Sequence, residues 1–169
     1  MSDSTRFIII DNTDPNIHYA GSWFEPDTSS FHDKGDNGPP WNSTLHGVNA
    51  NATLSYNFTG TAVVAYGTFD RRSVRANGEP DPSWNCLVDG VAIRGTTISA
   101  NGDTEHNELL CGVNSLSDGL HTIVLQATVT NSSSSFWFDD FHYLPSTSVQ
   151  LDNATIIVDN TDPEIQFGN

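Results

Sequence analysis

Residues 52–69 read ATLSYNFTGTAVVAYGTF, and the fold follows from how they alternate. Ala52, Leu54, Tyr56 and Phe58 fall on one side of an extended chain, and Thr53, Ser55 and Asn57 on the other. That period of two marks a strand with one face in a core and one in water. Thr59-Gly60 has the composition of a tight turn, so the stretch predicts a hairpin whose second strand is residues 61–69 (TAVVAYGTF). The same grammar extends outward. Residues 7–10 (FIII) are a continuous apolar run, suited to a strand covered on both faces. Residues 84–88 and 91–94 flank Asp89-Gly90, a turn that suits the right-handed twist of a hairpin. Residues 108–111 form a short strand, Asp118-Gly119 a turn, and residues 121–129 (HTIVLQATV) the longest β-branched run. Residues 135–144 (SFWFDDFHYL) make a last, aromatic strand. No segment combines helical periodicity with caps. About eight or nine short strands with Gly, Asn and Asp turns predict an all-β fold, an antiparallel β-sandwich or jelly roll.

Three connections are long, residues 20–47, 70–83 and 96–107. Loops of that length in a compact domain usually carry function. Residues 7–21 (FIIIDNTDPNIHYAG) return as residues 155–169 (TIIVDNTDPEIQFGN). The offset is about one domain length, far too long for a solenoid. Residues 6–145 therefore read as one domain, 146–154 as a linker, and 155–169 as the first strand of a truncated second repeat. Such an apolar strand should not stay free in water. It is expected to add to an edge of its own sandwich or of a neighbouring molecule, where a first strand would lie.

The formal net charge is −15, opposed only by Arg6, Lys34, Arg71, Arg72, Arg75 and Arg94. A chain this acidic repels a phosphate backbone, so no nucleic acid partner is expected. An anionic membrane surface repels it too, and membrane contact would need a segment outside this sequence. Residues 1–5 are polar and run at once into FIII, so no signal peptide is legible. Cys86 and Cys111 both lie in strand-like contexts. They fit one disulfide between neighbouring strands; two buried free thiols are the alternative. Asn42, Asn51, Asn57, Asn131 and Asn153 head glycosylation sequons. In so Asn-, Ser- and Thr-rich a chain they favour a secreted or cell-surface protein only mildly, and with it the disulfide.

The order of these segments carries a resemblance. A strand ending in Asp, then YNFTGTAVVAYGTF, SWNCLVDG, SDGLHTIVL and FWFDDFHYLP, spanning residues 7–145, resembles the galactose-binding-domain-like β-sandwiches. It is most similar to the extracellular, often tandem, domains of fungal (basidiomycete-type) surface and secreted proteins, and more distantly to jelly-roll carbohydrate-binding modules. The resemblance implies a jelly roll, a glycan-binding or adhesive role, and in some branches a structural calcium. It carries fold better than function.

Asp11-Asn12-Thr13-Asp14-Pro15 follows directly on a strand. Its oxygens could serve a hard cation such as Ca²⁺, and the resemblance adds Asp139 on the last strand as a third ligand beside Asp11 and Asp14. The plainer account is an Asx-turn closed by proline. Trp23 and Trp41 lie in the first long loop and Trp84 follows the second. An indole face stacks on the C–H face of a sugar while neighbouring polar groups take its hydroxyls. Arg71, Arg72 and Arg75 crowd one loop and offer planar donor forks for hydroxyls or carboxylates. The competing account makes the indoles plugs for the ends of the sandwich and the arginines local counter-charges. On the last strand, alternation puts Trp137, Asp139, Phe141 and Tyr143 on one face and Phe136, Phe138, Asp140 and His142 on the other.

No nucleophile elbow, zinc-protease helix, CxxC or phosphate loop is present. Two carboxylates would suffice for a glycosidase, with Glu25 and Asp27 against Asp70 or Glu79 as loop candidates. The leading expectation is an extracellular, non-catalytic module that needs no cofactor. It would bind a glycan or cell-wall polysaccharide at its loop end through Trp23, Trp41, Trp84 and the arginines. The alternatives are a structural or adhesive module with protein partners, and a glycan-active hydrolase.

Overall fold

In the computed structural model, which describes residues 6–30, 33–70, 78, 80–96, 103–131, 133–158, 162, 164–166 and 168, apolar alternation produces strands throughout. They are β1 (Phe7–Asp11), β2 (His18–Ala20), β3 (His46–Val48), β4 (Ala52–Asp70), β5 (Ser83–Val88), β6 (Val91–Ala92), β7 (Thr104–Val113), β8 (Gly119–Thr128), β9 (Phe136–Pro145) and β10 (Thr155–Ile157). Every pairing among them is antiparallel. The described residues contain no α-helix. Ten strands exceed the eight or nine expected because β2, β3, β6 and β10 are only two or three residues long.

The expected hairpin at Thr59-Gly60 does not form. Ala52–Asp70 is one strand of 19 residues that changes partners at Gly60. Residues 52–60 pair with β8, and residues 60–68 pair with β9. A Cβ at Gly60 would collide with the carbonyl oxygen of Leu144. The glycine therefore marks a close approach where the strand bends between layers, the second meaning of Gly in a strand. One layer is β2, the first half of β4, β8, β5 and β6. The other is β10, β1 with β3, β9, the second half of β4, and β7. Formally this is a single ten-stranded sheet folded over on itself.

Leu54, Phe58, Ile123 and Leu125 of the first layer and Val63, Leu110, Phe138 and Phe141 of the second belong to one buried cluster. Cys86 and Cys111 are disulfide-bonded, with Cα atoms 6.4 Å apart. They join β5 to β7, which do not pair, so the bond staples the two layers rather than neighbouring strands. Asp89 and Gly90 form the expected hairpin turn, with φ of 51° and 79°. The chain then crosses between layers: Ile93 N donates to Cys86 O at 2.9 Å, and Thr96 N donates to Leu110 O at 2.9 Å.

Two further expectations change. β7 begins at Thr104, so part of the predicted 96–107 loop is strand. Its polar sequence, TEHNE, conceals a segment paired with the far end of β4. In β9, Asp140 pairs with Tyr66 and Phe138 with Gly67, leaving Asp139 as a bulge. The bulge resets the alternation, so Phe136, Phe138, Phe141 and Tyr143 all join the core.

Residues 146–154 are not a free linker. Val149, Leu151 and Ala154 pack against the core, and Ser146 N donates to Thr59 O at 3.1 Å. β10 then lies antiparallel to β1 at the edge of the second layer.

Candidate functional site

The Asp-Asn-Thr-Asp-Pro segment ties the first long loop to the sandwich. Asn12 is fully buried and each of its side-chain groups is used. Its Oδ1 accepts from Thr44 Oγ1 at 2.7 Å, and its Nδ2 lies 2.8 Å from His46 Nδ1. Its carbonyl accepts from Tyr19 Oη at 2.7 Å. Tyr19 stacks on His46 with ring centres 4.4 Å apart. With Nδ1 accepting from Asn12, the proton of the neutral ring belongs on Nε2, which lies 3.6 Å from Glu25 Oε1. Burial pulls the His46 pKa down against the opposing charges of Glu25 and Asp11. The amide in the middle of the motif thus organises this corner.

From that anchor the loop runs across the outer face of the second layer, the face turned away from the core. Phe24 and Gly47 exchange backbone hydrogen bonds of 2.9 and 2.8 Å. Asp36 N donates to Glu105 Oε2 at 2.9 Å, and Asn107 Nδ2 donates to the carbonyls of Asn37 and Pro39 at 2.8 and 3.0 Å. Trp41 N donates to Asp139 Oδ2 at 3.0 Å. Polar side chains are buried on this face. Asp139 is 0% and Asp140 2% exposed, and Thr68 Oγ1 lies 2.7 Å from His106 Nδ1.

Asp139 owes its position to the bulge. Burial, reinforced by the charge of Asp140, pushes its pKa up to about 8, while the Trp41 N–H opposes the shift. Its Oδ1 has no hydrogen-bond partner. Asp140 Oδ1 lies 2.8 Å from His142 Nε2, an ion-pair distance without hydrogen-bond geometry. The His142 ring lies 4.6 Å from that of Tyr66. Phe24 meets Trp137 edge-on at 5.5 Å, and a Cβ at Gly47 would strike both rings. A chain of contacts therefore runs from Trp41 through Asp139 and Asp140 to His142 and Tyr66. Its surface part sets aromatic rings beside hydrogen-bonding groups.

The three predicted tryptophans part company. Trp23 donates Nε1 to Thr53 O at 3.1 Å, and Trp84 donates Nε1 to Leu110 O at 2.8 Å. Both rings pack on Phe136, at 6.1 and 5.6 Å, so they plug the interior from two sides. Trp41 is 40% exposed and Phe24 36%. Arg71, Arg72, Arg75 and Glu79, and the side chain of Asp70, lie outside the described residues. Asp27 accepts from Ser29 N at 3.0 Å in a local turn, and the carboxylates set against it in the hydrolase expectation lie outside the described residues. The five sequon asparagines, Asn42, Asn51, Asn57, Asn131 and Asn153, are all exposed.

Asp11 Oδ1 accepts from Thr13 N at 2.9 Å, and Asp14 Oδ1 accepts from Asn16 N at 2.8 Å, so both close Asx-turns. Among the described residues, no three carboxylate, imidazole or thiol groups are placed to hold a metal ion. Sequence reasoning passed over Tyr66 and His142 as ligand candidates, whereas Phe24 stands beside Trp23 among the aromatic residues of the first long loop. The available signal was Asp140 two residues before His142, weak until the bulge and the Tyr66 pairing are known.

A concavity of about 1030 Å³ lies elsewhere, between the 91–96 crossing and residues 113–117. Val91, Ile93, Leu109, Leu116 and His121 are among the residues that line it. No Trp, Tyr or Phe is among its lining residues.

No protein-family model matches the chain, and no curated protein matches it at a significant level. Solved structures do. One is a two-domain esterase active on acetylated mannans, co-crystallised with mannopentaose; it is 15% identical with a TM-score of 0.52, over 83% of this chain and 37% of that one. Another is a family two carbohydrate esterase from Cellvibrio japonicus, 11% identical with a TM-score of 0.49, over 85% and 35%. A third is the catalytic domain of a GH87 α-1,3-glucanase with bound tetrasaccharides, 12% identical with a TM-score of 0.47, over 88% and 29%. This chain spans about a third of the length of each. The likeness to the mannan esterase shows a shared β-sandwich fold.

Proposed function

We propose that this is an extracellular, non-catalytic glycan-binding module. Its ligand lies on the outer face of the second layer, stacked on Trp41 and Phe24 and hydrogen-bonded by His142 and Tyr66, with the buried Asp140 behind the imidazole. One observation carries the reading: Trp41 is solvent-exposed while its backbone is held by the buried carboxylate of Asp139. An exposed indole costs solvation unless it meets something, and a fixed one loses little entropy when it does. The interlayer disulfide and exposed sequons support secretion. The fold shared with an esterase active on acetylated mannans supports a cell-wall polysaccharide as ligand.

Screening the protein against mannan, glucan, galactan and xylan oligosaccharides tests this. Binding should appear for at least one class. Trp41→Ala should weaken it at least about tenfold, the scale of one lost stacking contact. Absence of binding to every class would overturn it.

A hydrolase reading is favoured by the adjacent Asp139 and Asp140, one of them held protonated as a general acid must be. Their near-complete burial weighs against it, since a sugar must reach both. Release of reducing ends from the bound glycan, abolished by Asp139→Asn, would establish hydrolysis over binding.

A further inference from the structure

The β1 edge is occupied by a copy of its own sequence. In the repeat, Phe7 corresponds to Thr155, Ile8 to Ile156, Ile9 to Ile157 and Asp14 to Asp162. The ladder pairs Phe7 with Ile157, Ile8 with Ile156, and Ile9 with Thr155. Ile8 thus meets its own counterpart, and the flanking pairs are the same two positions exchanged. That is the relation produced by a two-fold axis through the Ile8–Ile156 pair, the hallmark of an isologous contact. Two unrelated strands would have no reason to choose this register.

The turn beyond the strand is duplicated as well. Asn16 N donates to Asp14 Oδ1 at 2.8 Å and Ile17 N to Asp14 O at 3.1 Å. Glu164 N donates to Asp162 Oδ1 at 2.9 Å and Ile165 N to Asp162 O at 3.0 Å. Across the axis, Arg6 grips Asp162 through Nε at 2.8 Å and Nη2 at 3.1 Å, and reaches Glu164 at 2.7 Å. The symmetric clamp would join residue 154 to Asp14, but residue 154 is alanine. A cleft of about 650 Å³ opens there, with Ile10, Asp11, Asp14, Asn153 and Ala154 among its walls. It is the place an arginine would fill.

We propose that the β1 edge is a homotypic docking strand, whose partner is the β1 strand of a second copy of this domain. The tail strand β10 mimics that copy. When two whole copies pair, each Arg6 reaches the other's Asp14, both clefts fill, and the second layer runs on into its neighbour as one sheet. The two clamps also set the register, because a slip along the ladder parts each guanidinium from its carboxylate.

Variants of the full chain test this. Ile156→Pro with Asp162→Ala should loosen β10 and uncover β1. The native chain should weigh as a monomer by light scattering, and the loosened chain as a dimer at about 0.1 mM, in the range of weak edge contacts. Adding Arg6→Glu should return it to monomer, and adding Asp14→Lys to that should restore the dimer. A loosened chain that stays monomeric, or a dimer indifferent to Arg6→Glu, would overturn the proposal. A second measurement stands independently of that variant's folding. Ala154→Arg should complete the missing clamp and raise Tm by about 2–4 °C, the effect of about 1 kcal/mol in a chain this size. The gain should vanish in an Asp14→Ala background. No gain, or a gain that persists without Asp14, would contradict the two-fold relation.

Discussion

Asp139 is the residue on which β9 changes step, and its chemistry follows from that position. Its pKa of about 8 in the folded chain lies far above the ordinary 3.8, so folding favours the protonated form. Between pH 4 and 8 the unfolded chain ionises this group while the native one resists. Stability attributable to Asp139 must therefore fall as pH rises through that window and level off above it. Asp139→Asn keeps an oxygen for the Trp41 N–H and removes the titration. Its Tm advantage over the native chain should grow from pH 4 to pH 8 in thermal melts. A difference independent of pH would show that the carboxyl is not held neutral. The sequence exposes the Asp-Asp pair but not which member is bulged, because the bulge depends on the partner strand. Gly67 of β4 faces the backbone of Trp137, where a Cβ would strike the carbonyl oxygen. Trp23 and Trp84 were equally opaque. An indole in or next to a long loop looks the same in sequence whether its N–H finds a sugar or the carbonyl of Thr53 or Leu110.

Among the elements, β4 departs furthest from its sequence reading. Alternation over residues 52–58 places Leu54, Tyr56 and Phe58 in the core, as found. The bend at Gly60 is indistinguishable from a turn locally, since only the approach of Leu144 from β9 decides between them. Gly60→Ala should therefore cost about 3 kcal/mol in a denaturant melt, the upper end of the range for forcing a methyl group into closed packing. A loss below about 1 kcal/mol would mean that the corner can relax. Asp89-Gly90 was legible because a two-residue hairpin turn is decided by its own φ angles. The polar start of β7 was not, because pairing to β4 rather than hydrophobicity makes it a strand. The disulfide belongs to this scale too. It closes a separation of 25 residues and bridges layers that otherwise meet through side chains, the bend in β4 and the 91–96 crossing. Cys86→Ala with Cys111→Ala should lower stability by about 3 kcal/mol in the same assay, the expectation for a loop of that length. An unchanged midpoint would assign the staple no role in the resting fold.

For the whole molecule, two folded-over layers hold the scaffold while the first long loop dresses one outer face. The sequence conveys the layers well, because burial imposes a period that any strand must obey. It conveys the candidate site poorly, because that face is assembled from residues far apart in the chain. Phe24 and Trp41 come from the loop, Tyr66 from β4, and Asp139, Asp140 and His142 from β9. None of those separations leaves a local signature. The net charge of −15 suits a partner that is neutral, as most cell-wall polysaccharides are, rather than polyanionic. The central claim is that this dressed face is where a glycan binds, and residue-resolved NMR tests it directly. Titrating ¹⁵N-labelled protein with mannose and glucose oligosaccharides should shift the amides of Phe24, Trp41, Tyr66, Asp140 and His142. The 91–96 crossing and residues 113–117 should stay still. Shifts concentrated along that apolar groove instead, or no shifts with any oligosaccharide, would contradict the account.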